Sequence, residues 1–326
     1  MLLFIALPIV SVAYQSLFIE HEQLLVTVES CGPFGCVTET RVDAPAMAEL
    51  RAAEPMGRFN WLGTYTNPQH LAFGELAAIW GADTSIGTKL RGTLNLPFYK
   101  ALAFTLAYTF VVTPLVIVLG FFIALGVNSI PRLLKGPVIF FSLLPMIVTP
   151  LIGSLVLFWM IDAQGIIGAT LQLIFDDPQL SLKASPTLTW ITLFVYGVWH
   201  MVPFSFIVFY AGLQTVPADT LESAMIDGAS RWERIRYVVI PYLVPLATFV
   251  ALVQLMDNFR VFEPIIGFSA AASATSLSWL IYDDLRAPDS PLFGSAAATS
   301  MLTMIGVAIL LSPVLLRTWR DFKRKA

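Results

Sequence analysis

Charge is scarce in this chain. Of 326 residues only 13% are Asp, Glu, Lys or Arg, about half of the roughly 25% usual in soluble domains. Two cysteines exclude a disulfide-rich scaffold, and two thiols without a second pair lack the ligands of a zinc site. The three histidines, His21, His70 and His200, are too far apart in sequence for metal spacing, so no metal site is expected. No Gly-x-x-x-x-Gly-Lys-Ser/Thr run occurs, so the sequence carries no phosphate loop of that kind. No Ser-His-Asp or paired-carboxylate arrangement stands out, so no catalytic residue is assigned and the chain does not read as an enzyme. No basic stripe is present for a nucleic acid to follow.

What is abundant is apolar sequence: 57% of residues are hydrophobic and the mean hydropathy is +0.76. Several runs reach the roughly 20 residues that a helix needs to cross a bilayer core. They are continuous rather than alternating with period two, which disfavours a barrel. The expected fold class is therefore all-α, a polytopic transmembrane helical bundle held in membrane lipid. Six spans are read at about 1–19, 100–127, 137–161, 187–212, 242–262 and 293–316. The first has no Lys or Arg before it and no convincing small-residue cleavage site, so it reads as a spanning helix rather than a signal peptide. Pro114, Pro150, Pro203 and Pro313 lie in or near spans, where neighbouring helices re-satisfy the freed carbonyls.

Orientation follows from the basic residues near span ends. Arg132 and Lys135, then Arg231, Arg234 and Arg236, then Arg317, Arg320, Lys323, Arg324 and Lys325 fall on one side. The positive-inside rule makes that side cytoplasmic and both termini with it. Residues 20–99 then form a large external loop domain, residues 100–316 the transmembrane core, and residues 317–326 a basic cytoplasmic tail. The external loop holds Cys31-Gly-Pro-Phe-Gly-Cys36, a spacing and composition that can close a small disulfide in an oxidising compartment.

Within the core, residues 213–241 interrupt the apolar pattern with Glu222-Ser-Ala-Met-Ile-Asp-Gly-Ala229 and then Ile240-Pro241. Small residues and acids at these spacings fit a short surface helix ended near Gly228, and Glu222 near its start gains from the helix dipole. The order Glu-x-Ala-x-x-Asp-Gly-Ala followed by Ile-Pro resembles the EAA loop of permease subunits in binding-protein-dependent ABC importers. Upstream, Trp199-His-Met-Val-Pro203-Phe204 and Ala211-Gly-Leu213-Gln-Thr-Val-Pro217 match the same family's approach to that loop. Serine stands at position 223 where the family has alanine, a small-for-small change. The resemblance implies a type I ABC importer permease fold, with Glu222, Ser223, Ala224, Asp227, Gly228 and Ala229 forming a coupling helix against a separate ATPase. It also implies a second related permease, an ATPase dimer carrying ATP and Mg, a periplasmic solute-binding protein and a bacterial inner-membrane location. No cofactor is expected in this chain itself.

Gly120–Asn128 and Phe158-Trp159-Met-Ile-Asp162-Ala-Gln164-Gly165 resemble the carbohydrate-uptake branch: the maltose, α-glucoside and glycerol-3-phosphate type permeases. The segment Gln254-Leu-Met-Asp257-Asn258-Phe259 is polar at membrane depth, where ionisable groups usually face a cavity or a partner. Residues 254 and 258 are one helical turn apart on one face. Gln254, Asp257, Asn258 and Phe259 supply the amide, carboxylate and aromatic groups that a sugar requires. In the resembled permeases this helix lines the translocation path. The family's Thr-Gly-Gly-Gly-Pro run is replaced here by Gly267-Phe-Ser-Ala-Ala-Ala-Ser, which departs from the maltose type. The expected cargo is a sugar, oligosaccharide or polyol. The alternatives are an amino-acid, polyamine or phosphate permease of the same superfamily, or an ion-coupled secondary transporter.

Overall fold

The computed structural model describes all residues except Met1, Gln23, Pro33, Phe34, 288–290 and Ala326, and of Cys31 and Cys36 the backbone only. Two compact units emerge: residues 1–100 with 280–305, and residues 101–279 with 306–326.

The first unit opens with α1 (Leu2–Gln15), a 14-residue apolar helix. At 1.5 Å per residue it spans about 21 Å, short of a bilayer core. Two antiparallel strand pairs follow: β1 (Phe18–Ile19) with β4 (Arg58–Phe59), and the hairpin of β2 (Leu25–Gly32) and β3 (Gly35–Val42). The hairpin is rich in Val and Thr, β-branched residues that suit a pleated ribbon. Its register sets Cys31 directly opposite Cys36. Helices α2 (Ala44–Ala53), α3 (Gly63–Thr66), α4 (Phe73–Gly81) and α5 (Ile86–Asn95) complete this stretch. α2 starts where Asp43 accepts a hydrogen bond from the Ala46 amide at 3.1 Å, an N-cap that satisfies an otherwise orphan donor.

The same unit holds a buried polar network. His70 Nδ1 lies 2.8 Å from Asn67 Oδ1, and its Nε2 lies 3.0 Å from Thr299 Oγ1. Ser295 donates to Asp284 at 2.7 Å, and the Gly294 amide donates to Glu20 at 2.6 Å. Burial, with Asp283 and Glu20 nearby, pushes the Asp284 carboxyl up to about 6. Burial also lowers His70, which favours its neutral form.

The second unit is built on long helices. α6 (Pro97–Ser129) enters it, followed by α7 (Arg132–Ile147), α8 (Pro150–Met160), α9 (Ile166–Phe175) and α10 (Pro186–Gln214). Then come α11 (Ala218–Ile226), α12 (Arg231–Arg234), one turn of π-helix (Ile235–Val239), α13 (Ile240–Phe259), α14 (Glu263–Gly267), and α15 (Leu277–Leu285) and α16 (Phe293–Lys325), of which residues 280–305 belong to the first unit. Among the described residues, four helical stretches are each long and apolar enough to cross a membrane: 97–129, 186–214, 231–259 and 293–317. The span expected as continuous at 137–161 is instead a pair, α7 and α8, bent by 93°. The break falls at Val148 and Thr149, both extended, because Pro150 disfavours helical backbone in the residue before it. The span expected from residue 242 begins earlier, since α12, the π turn and α13 run on as one rod from Arg231.

Two apolar clusters hold the unit together. One joins Phe104, Tyr108 and Val112 of α6 to Leu193, Tyr196 and Val202 of α10 and to Ile265 and Phe268. The other joins Ala124 and Val127 of α6 to Phe206, Phe209 and Leu213 of α10 and to Val239 and Leu243. Close approach of α6 and α10 depends on Gly197, where an added Cβ would meet the Tyr108 hydroxyl oxygen at 2.1 Å. Large apolar side chains such as Phe110, Phe140, Ile152 and Val195 remain exposed, as a lipid-facing surface requires.

Candidate functional site

The segment between α10 and α13 makes a small, rigid, protruding element. α10 ends at Gln214, and Tyr242 ties the turn down by donating to the Thr215 carbonyl at 2.8 Å. Pro217 precedes α11, whose first turn carries Asp219, a favourable charge at a helix N-terminus. α11 ends in a Schellman arrangement: the Ala229 amide bonds the Ala224 carbonyl at 2.9 Å and the Gly228 amide bonds the Met225 carbonyl at 3.0 Å. Gly228 sits at φ +81° with open space around it, so the backbone conformation rather than crowding calls for glycine. Immediately after, Ser230 and Glu233 form a reciprocal capping box that starts α12.

Leu221 turns inward and packs on the second apolar cluster. Glu222, Ser223, Asp227 and Gly228 are exposed, and Ala224 and Ala229 are half-buried. Beside them Ile226 is 86% exposed and Met225 is 48% exposed. The six residues expected to couple therefore lie together on one protruding helix and its cap. Two apolar side chains share that surface without having been singled out in the sequence.

The polar stretch of α13 divides between faces. Gln254 and Asn258 are both fully buried and face α6, where the Asn258 amide donates to Thr113 Oγ1 at 2.9 Å. Asn258 Oδ1 has no hydrogen-bond partner among the described residues, an uncommon condition for a buried acceptor. Asp257 is more exposed and pairs with Arg260 at 3.0 Å. Phe259 is buried against α16, where an added Cβ at Gly306 would approach its ring to 2.8 Å. A cavity of about 50 Å³ adjoins Asn258, with Tyr108, Tyr196, His200 and Glu263 also on its wall. The structure thus gathers Gln254 and Asn258 into one interior face, sets Asp257 on the wall of the cavity beside Asn258, and turns Phe259 toward α16.

Some features were not legible in the sequence. Thr113 gives no motif that marks it as the partner of Asn258. Asp162, read as a solvated loop residue, is paired with Lys183 at 2.9 Å. The Lys183 hydrogen bond and the Gln164 amide hold the Asp162 carboxyl below its ordinary range. The capping box did have a signal, the spacing Ser-x-x-Glu at 230–233.

Long apolar helices around a shared interior, a buried polar face at mid-bundle and a capped helix protruding at one end define the channel subunit of a transporter. The chain belongs to the family described as the binding-protein-dependent transport system inner membrane component, whose sequence model matches residues 116–318. Among curated relatives, it is 29% identical over 267 residues to the trehalose transport system permease protein SugA of Mycobacterium tuberculosis, covering 81% of this chain and 83% of that one. It is 28% identical over 213 residues to the trehalose/maltose transport system permease protein MalF of Thermococcus litoralis, covering 64% and 70%. In fold it resembles a chain of a bacterial ABC transporter involved in import of the acidic polysaccharide alginate, with TM-score 0.63 and 18% identity over 85% of this chain and 93% of that one.

Proposed function

We propose that this chain is the membrane-spanning subunit of an ATP-driven importer that carries a sugar, oligosaccharide or polyol across a bacterial inner membrane. Both termini face the cytoplasm, residues 20–99 face the periplasm, and α11 is the element that receives force. ATP and Mg belong to a separate ATPase pair that seats α11, a second related permease completes the channel, and a periplasmic binding protein delivers the cargo. The observation that carries this reading is the exposed α11, closed at its C-terminus by a Schellman cap and with Ile226 and Met225 bared, in a member of this permease family. The relatives named for trehalose and maltose support a carbohydrate cargo.

Mechanically, a stiff helix passes on a push that a loose loop would absorb. The Schellman cap and the Ser230–Glu233 box fix both ends of the Gly228 turn, and the Tyr242–Thr215 hydrogen bond links the turn before α11 to α13. Movement of α11 then displaces the rod that carries Gln254 and Asn258. For ATP to drive this, the nucleotide-bound ATPase must contact α11 differently from the free one. Displacement of α13 from α6 opens the buried Gln254–Asn258 face to the cargo, and the unpartnered Asn258 oxygen then accepts from one of its hydroxyls.

The test is deletion of the gene followed by uptake of a panel of labelled sugars and polyols, with complementation by the wild-type gene. Loss of uptake of one or a few of these, restored by complementation, is expected. Normal uptake of every sugar and polyol, with loss of amino-acid or phosphate uptake instead, refutes the carbohydrate assignment.

A further inference from the structure

We propose that a pocket formed by the end of α8, the start of α10 and the segment after α14 binds a single uncharged sugar ring, at the opposite end of the bundle from α11. This rests on the carbohydrate reading above and adds a subsite separate from the Gln254–Asn258 face. The pocket has a volume of about 210 Å³, below the roughly 300–1,000 Å³ of drug-sized ligand sites. It therefore suits one monosaccharide unit rather than a chain of them.

Its place follows from α10. That helix starts at Pro186 beside the pocket and ends at Gln214 just before α11. Its 29 residues span about 43 Å at 1.5 Å each, more than the ~30 Å of a bilayer core. With α11 in the cytoplasm, the pocket lies at the outer side, where cargo arrives.

Its chemistry fits a polyhydroxy ring. Phe158 and Phe268 give apolar wall for the C–H face of a pyranose, and Thr189, Ser269 and Ser273 bring hydroxyls to the lining. Lys183 Nζ lies 3.4 Å from the centre of the Phe158 ring and 2.9 Å from Asp162 Oδ2. This ion pair is partly exposed, with side-chain exposures of 27% and 42%. It offers donors and acceptors side by side, the arrangement that adjacent sugar hydroxyls answer because each both donates and accepts. Ionised Asp162 beside the lysine opposes a phosphate or carboxylate ligand and selects a neutral one. Ser269 adopts φ +51°, a left-handed backbone in a non-glycine residue, and such strain gathers at ligand sites. Trp190 anchors the far wall by donating to the Ser273 carbonyl at 2.8 Å, which makes its indole a reporter.

The experiment titrates maltose and trehalose into the purified full-length protein in detergent, reading tryptophan fluorescence and saturation-transfer NMR. Saturable binding in the millimolar range is expected for wild type. Lys183→Met should weaken it by about tenfold or more, the scale of a hydrogen bond to a charged group. Ser269→Gly relieves the left-handed backbone and so stays folded, and it should weaken binding by about threefold, the scale of a neutral hydrogen bond. No binding to wild type, or wild-type affinity in both Ser269→Gly and folded Lys183→Met, would each overturn the pocket. If deletion of the gene abolishes uptake of a sugar while no Lys183-dependent binding of that sugar is found, the pocket falls alone. If no sugar uptake depends on the gene, the carbohydrate reading falls with it.

Discussion

Ile226 offers the sharpest check on the force-receiving role of α11. It is 86% exposed on the last turn of a short helix, so nearly all its apolar surface is free for another protein to cover. Full burial of an isoleucine side chain is worth about 1.5–3 kcal/mol, so covering this one contributes about 2 kcal/mol to an interface. Ile226→Gln keeps the length and helix propensity of the site but removes that apolar surface. At 1.4 kcal/mol per factor of ten, affinity for the ATPase should fall about 30-fold. The change touches no buried neighbour, so membrane insertion and yield should stay as in wild type. The assay is affinity purification of tagged permease from native membranes, with the co-purified ATPase quantified and its sugar-stimulated hydrolysis measured. Recovery of the full wild-type amount of ATPase under dilute, stringent washing would refute the assignment of α11 as the docking element.

Four further outcomes are expected. Gly228→Ala should cost about 1 kcal/mol through its φ of +81° and lower coupled transport, whereas Gly228→Asn, which tolerates that conformation, should do so less; protease sensitivity of the 215–231 segment measures the difference. Asn258→Ala removes the hydrogen bond to Thr113 and the free acceptor beside the cavity, and should reduce uptake of the true substrate while the complex still assembles, read by uptake kinetics beside co-purification. The folded protein holds the Asp284 proton up to about pH 6, while the unfolded chain releases it near 3.8. Between these values the folded state binds more protons, so stability should fall as pH rises through that window, and Asp284→Asn should flatten the dependence in thermal-unfolding scans. Cys31 and Cys36, opposite each other in the hairpin, should resist maleimide in denatured protein until a reductant is added.

The helical membrane class was legible because apolar runs of spanning length are a strong, local signal. The α11 segment was legible because its small residues and glycine answer backbone demands, Gly228 above all for the left-handed turn; Glu222, expected at the helix start, is instead the fifth residue of a helix that begins at Ala218, and Asp219 holds the first turn. The 93° break between α7 and α8 has a visible cause in Pro150, yet proline inside a span is common enough in membranes that it predicts a kink and not its size. The β2–β3 hairpin lay in a stretch read only as an external loop, although its Val and Thr residues and the glycines around its turn carry a strand pattern. The partnerships of Asn258 with Thr113 and of Asp162 with Lys183 join residues distant in sequence, and only the packed helices decide them.

The π turn at Ile235–Val239 is where this rod takes up one residue more than α winding would hold. One π turn accommodates an additional residue relative to an α turn, and each residue of helix corresponds to about 100° of rotation. Because the turn takes up that surplus locally, the helix on either side keeps its facing, and the Asn258 amide still meets Thr113. Excising one of the five would restore uniform winding with that facing kept, whereas one residue added further along α13 would rotate both amides by about 100° and carry them off their lane.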